Sequence, residues 1–148
     1  MASLSNPLSA EQSGQLFKYW LEALLSAYPV EDHEFLLDIH DRYANPVGYT
    51  LFTQLNQLWR LLQSESFSDQ MLREALWPLV RLRAVQGLTP SEALGFLWAL
   101  KSMIALLLDG EAPDWLERLE SRLERAELMA MDLFFQAKKP QARFSYQA

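Results

Sequence analysis

The chain has no cysteine, which removes disulfides, thiolate metal sites and cysteine nucleophiles, and leaves the redox compartment unread. Glycine is scarce, five in 148 residues, and no glycine-rich loop is present to cradle a phosphate. His33 and His40 are the only histidines, and neither an H-E-x-x-H pair nor a G-x-S-x-G elbow occurs. No enzyme is expected and no catalytic residue is assigned. Basic blocks are missing as well: 19 acidic against 13 basic side chains give a net charge of -6, which repels phosphate backbones, so nucleic acid is not expected as a partner. The opening "MASLSNPLSAEQ" lacks the basic and apolar regions of a signal peptide. The longest apolar run, Ala93 to Leu108, is interrupted by Lys101 and falls short of the roughly 20 residues that a bilayer core needs. It reads as a buried helix, with no membrane partner and a cytoplasmic location.

What is present is helical punctuation. Half the residues are apolar, enough for one sizeable core, and no segment alternates with the period of a strand. The expected fold is all-α, about six helices in a single globin-like or bundle-like domain over residues 9–138, with a flexible N-terminus at 1–8 and a disordered tail at 139–148. Ser9 and Gln12 form a capping box before Leu16, Trp20, Leu24 and Tyr28. A second helix is expected from about Glu31 to Tyr43. Asn45 and Pro46 read as N-cap and first residue of a third, with Val47, Leu51, Leu55, Leu58 and Leu62 on one stripe. Ser68 opens a fourth that closes at Gly87, with a kink expected at Pro78. Thr89, Pro90 and Glu92 supply the N-cap, the N1 proline and the capping glutamate of a fifth. Its stripe is Ala93, Phe96, Leu97, Leu100, Ile104 and Leu107, with Trp98 outside it. Such an apolar helix belongs at the centre of a bundle.

The charged residues on apolar stripes need explanation, because a buried cation requires a partner. Arg83 shares a stripe with Leu72, Ala75, Leu76 and Leu79, and Lys101 lies among Leu94, Leu97, Ala105 and Leu108. Both are placed to approach Glu92 or the acidic second helix with Glu34, Asp38 and Asp41. Two readings stay open: internal ion pairing with Lys101 reaching for solvent, or an anionic-ligand pocket built from Arg83, Lys101 and Glu92. The histidines lie seven apart, about 10.5 Å along one helix, so a single metal ion cannot bridge them. No metal site or cofactor is expected, and no small-molecule ligand is named. A haem- or ligand-binding sensor remains the alternative function.

The last helix, from about Pro113 to Lys138, carries Leu116, Leu119, Leu123, Ala126, Ala130 and Leu133 in a heptad-like seam. Glu117, Glu120, Glu124 and Glu127 form an acidic edge, and Arg118, Arg122 and Arg125 a basic one. An amphipathic helix docked on its own domain explains the seam. A partner or homodimer interface explains it too, with Leu116, Leu123, Met131, Phe134 and Phe135 as contact residues and the two edges meeting across the dimer. The run "LMAMDLFF" is apolar nearly all round, and one stripe cannot bury all of it.

Two stretches together, "DRYANPVGYTL" from Asp41 and "RLRAVQGLTPSEALGFLWALK" from Arg81, resemble the RsbRD N-terminal domain family over roughly Leu16 to Phe135. Asn45-Pro46-Val47-Gly48 and Arg83-Ala84-Val85-Gln86 followed by Thr89-Pro90-Ser91-Glu92-Ala93 stand in family order. The resemblance implies an all-helical, globin-like sensory or regulatory module of the bacterial stressosome co-antagonists, without haem. It departs at the end, where "MDLFFQAKKPQARFSYQA" replaces the family's Arg-rich continuation. A STAS domain follows in stressosome proteins, and this tail is too short for one. A stand-alone form is therefore expected: a non-catalytic signal-input or protein-interaction module, with a protein partner or a second copy as its ligand.

Overall fold

The computed structural model describes residues 6–39 and 42–139. Six α-helices make one helical domain, and no strand occurs among the described residues. Helix α1 spans Ala10–Leu25, α2 His33–Leu37, α3 Pro46–Gln63, α4 Asp69–Val85, α5 Pro90–Leu108 and α6 Pro113–Lys138. Helix α6 packs against α4 and α5, α3 against α4, and α1 against α5. The apolar stripes meet in one core, in which Leu24, Leu55, Leu76, Leu79, Leu97, Leu100, Ile104 and Leu123 are wholly buried. Trp20 lies among them beside the rings of Trp59 and Phe96. Its indole N–H donates to the Phe96 carbonyl at 2.8 Å, so the one polar atom of the buried ring is satisfied.

Local capping chemistry sets most boundaries. Ser9 and Gln12 close the capping box of α1, and the Ser68 hydroxyl accepts from Met71 N–H at the start of α4. Helix α4 runs across Pro78 as one element and ends at Val85, with Gln86 as C-cap and Gly87 following at φ 81°, the left-handed position that glycine occupies without a Cβ penalty. At the head of α5, Thr89 accepts from Glu92 N–H and the Glu92 carboxylate accepts from Thr89 N–H. Thr89→Ala should therefore lower stability by about 0.5 to 2 kcal/mol, measured by urea unfolding, with association in the folded fraction unchanged. The α5–α6 turn had no such signal: Asp109 and Ala112 adopt φ of 46° and 50°, a conformation unusual for residues with a Cβ.

The second helix corrects the expectation. Instead of continuing from Glu31 to Tyr43, it is a 3-10 turn at Val30–Asp32 and five α-helical residues ending at Leu37. The amide N–H groups of Asn45 donate to the carbonyls of Phe35, Leu36 and Asp38, occupying acceptors that a longer helix would use internally. Of residues 1–8, Leu8 is buried and Asn6 donates to Gln63 Oε1 at 2.7 Å. Residues 1–5 and most of the expected tail lie outside the described residues.

Helix α5 alone among the described helices is long and apolar enough to cross a membrane. Its stripe of Ala93, Leu94, Phe96, Leu97, Leu100, Ile104 and Leu108 is instead buried in the domain, as expected for a central helix.

Candidate functional site

Arg83 is 1% exposed and is consumed by the backbone. Its Nε donates to the Ala93 carbonyl at 2.8 Å, Nη2 to Glu92 at 2.7 Å and Nη1 to Leu24 at 2.9 Å. The guanidinium lies over the rings of Tyr28 and Phe96, 5.3 and 5.7 Å from their centroids. Burial lowers its pKa, yet no carboxylate pairs with it among the described residues. The C-terminal turn of α1, with its carbonyls facing outward, supplies negative potential in place of a counter-ion. Arg83 thus fastens the ends of α1 and α4 to the first turn of α5.

The anticipated cluster of Arg83, Lys101 and Glu92 does not form. Glu92 meets Arg83 only through its main-chain oxygen, while its carboxylate serves the Thr89 cap. Lys101 lies two turns further along α5, about 12 Å of rise from Ala93, and acts on Glu127 of α6. The imidazole of His33 donates from Nε2 to the Tyr28 carbonyl at 2.9 Å, and His40 lies outside the described residues. No group of acidic or histidine side chains with metal-binding geometry occurs among the described residues.

Asn45 is a second joint, 2% exposed. Its Oδ1 accepts from Gly48 N–H at 3.0 Å, capping α3, while Nδ2 closes the end of α2. Gly48 is required by proximity: a Cβ there would stand 2.2 Å from the Leu36 carbonyl oxygen and 2.3 Å from Asn45 Nδ2. Both motifs that carried the family resemblance therefore do architectural work.

The outer face of α6 is different. Leu123 and Phe134 are buried in the core and Leu116 packs partly against it, so these three are not a free contact surface. Met131 and Phe135 are exposed, together with Leu128 at 67%. The steps of three and four residues from Leu128 to Met131 to Phe135 place all three on one face. Beside them Pro90, Ser91, Leu94, Gly95 and Trp98 of α5 join Met131 in an apolar groove of about 430 Å³. Trp98 is 46% exposed. Its position outside the α5 stripe is the sequence signal for it, whereas Leu128 shares its face with Glu124, Arg125 and Asp132 and is not singled out by the heptad-like seam.

The basic edge of α6 serves its own domain. Arg122 donates to the carbonyls of Leu62 and Ser64 and stacks over Phe67, and Arg125 pairs with Asp69 at the start of α4. Glu127 leaves the acidic edge and is buried. An edge-to-edge dimer match, acidic against basic, is thereby corrected: two of the three arginines are already engaged.

Neither the curated proteins nor the solved structures contain a match to this chain. A family does match, over residues 14–135, and it includes both joints and the α5–α6 groove. The chain belongs to the family of the RsbT co-antagonist protein rsbRD N-terminal domain.

Proposed function

We propose that the protein is a cytoplasmic, non-catalytic regulatory module that works by docking protein through the α5–α6 face, and that a second copy of the chain is the occupant. The observation that carries this reading is the exposed apolar stripe of Leu128, Met131 and Phe135 beside the Trp98 groove. Large aromatic and methionine side chains grouped on a surface are typical of interface cores. Gly95 supports it. A Cβ added at Gly95 would meet nothing within 4 Å, although glycine inside a helix costs about 0.5 to 1 kcal/mol relative to alanine. Nothing among the described residues requires that bare backbone, whereas a close-packed neighbour would.

Charge favours a second copy. Glu117 is exposed near the start of the same helix, and Lys138 and Lys139 at its end. Two α6 helices crossing antiparallel near Leu128 would set each Glu117 against the partner's Lys138 and Lys139, with Leu128, Met131 and Phe135 between. Such rim pairs steer and align more than they bind.

Light scattering at micromolar concentration should give twice the chain mass. Phe135→Asp or Met131→Asp should weaken association at least about 30-fold, the scale of a hot-spot residue, while circular dichroism stays helical. Gly95→Leu should do the same by filling the groove. A monomeric wild type whose pull-downs retain no protein, or a dimer indifferent to all three substitutions, would sink the reading.

A further inference from the structure

We propose that Glu127 is a proton-operated latch on the α5–α6 seam: the seam closes dry when its carboxyl is protonated, and α6 loosens when it is ionised. Glu127 is 6% exposed, and its Oε2 has no hydrogen-bond partner. A carboxylate does not remain in such a place unless it is paired and hydrogen-bonded. The charged groups acting on it are Lys101 from α5 and Glu124 one turn earlier on α6. No ion pair within 4 Å joins Lys101 to Glu127, so the ionised carboxylate gains water or Lys101 as a partner only when side chains at the seam move. Burial pushes the Glu127 carboxyl above the usual range, Lys101 pulls it down and Glu124 pushes it up.

The direction of the linkage follows. A carboxyl that binds its proton more tightly when folded adds stability below its ordinary pKa of about 4.3. That stability is lost as pH rises to the raised folded value. Outward movement of Glu127 is felt nearby, because Met131 is the next turn of α6 and Trp98 stands one turn from Lys101 on α5. The latch stands without self-association; only its effect on docking rests on the function proposed above.

Carbon-13 NMR of the glutamate carboxyls in the full chain, from about pH 4 to about pH 8, combined with hydrogen exchange of the α6 amides, tests it. Glu127 should titrate last among the glutamates, and amides from Glu127 to Phe135 should lose protection through the same midpoint. Lys101→Met should move that midpoint to higher pH and Glu124→Gln to lower pH. Glu127→Gln should hold α6 protected across the whole range. The latch is overturned if Glu127 titrates with the exposed glutamates, or if α6 exchange follows the same pH course in Glu127→Gln. Should that variant fail to fold, the wild-type and Lys101→Met titrations decide alone. Light scattering across the same pH range separates the two ideas: a monomer with a working latch overturns docking, and a dimer without the shifted titration overturns the latch.

Discussion

Arg83→Ala is expected to lower the unfolding free energy by about 3 to 5 kcal/mol, read from urea denaturation. The substitution removes three hydrogen bonds from a charged donor, leaves a void between Tyr28 and Phe96, and strips the Leu24 carbonyl of its cation. Bonds to charged groups are worth about 1.5 to 3 kcal/mol each, but the Ala93 and Glu92 carbonyls lie within α5 and keep its backbone bonding, so the three are not additive. Arg83→Met refills the volume and should recover only the packing share. Arg83→Lys keeps the charge without the planar fork and cannot reach three carbonyls at once. Against a whole-domain stability of about 5 to 15 kcal/mol, the alanine variant should be largely unfolded at modest denaturant. A loss below about 1 kcal/mol would return Arg83 to the list of candidate ligand residues, and unchanged stability with lost binding would make that assignment outright.

Asn45→Ala should cost about 3 kcal/mol, more than an ordinary N-cap at about 1 kcal/mol, because it uncaps α3 and orphans carbonyls at the end of α2. Asn45→Asp separates the two tasks. Aspartate caps a helix as well as asparagine does, so if Asn45 were only a cap the variant would be nearly neutral. With the double role, a carboxylate is set against the carbonyls of Phe35, Leu36 and Asp38, and the loss should equal or exceed that of alanine. Thermal unfolding of the two variants at one pH decides it.

The contrast between Thr89 and Arg83 explains what could be read from residues alone. Thr89, Pro90 and Glu92 act on backbone within one turn, so their types and spacing encode the result. Arg83 stands out in the sequence as a cation on a core stripe, but its acceptors are main-chain carbonyls, which leave no trace in the identity of residues 24, 92 and 93. The same blindness lengthened α2: nothing between Glu31 and Tyr43 breaks a helix, and the amide that ends it comes from Asn45. On α6, the apolar run around Met131 announced surplus hydrophobic surface without saying which side faced out. The packing of α4 and α5 made that choice, burying Phe134 and exposing Phe135 and Leu128.

Because Arg83 grips α5 by main-chain oxygens, the identities of residues 92 and 93 matter less to that joint than their angular position. Between Arg83 and Glu92 the chain completes α4, turns at Gly87 and starts α5 at Pro90. The joint thus fixes where the first turn of α5 sits and leaves the side chains of residues 92 and 93 to other tasks, Glu92 to the Thr89 cap and Ala93 to the core. Residues exposed in the first turn of α5, such as Ser91, can be exchanged to alter what the groove accepts, provided the Thr89 cap that starts the turn is kept.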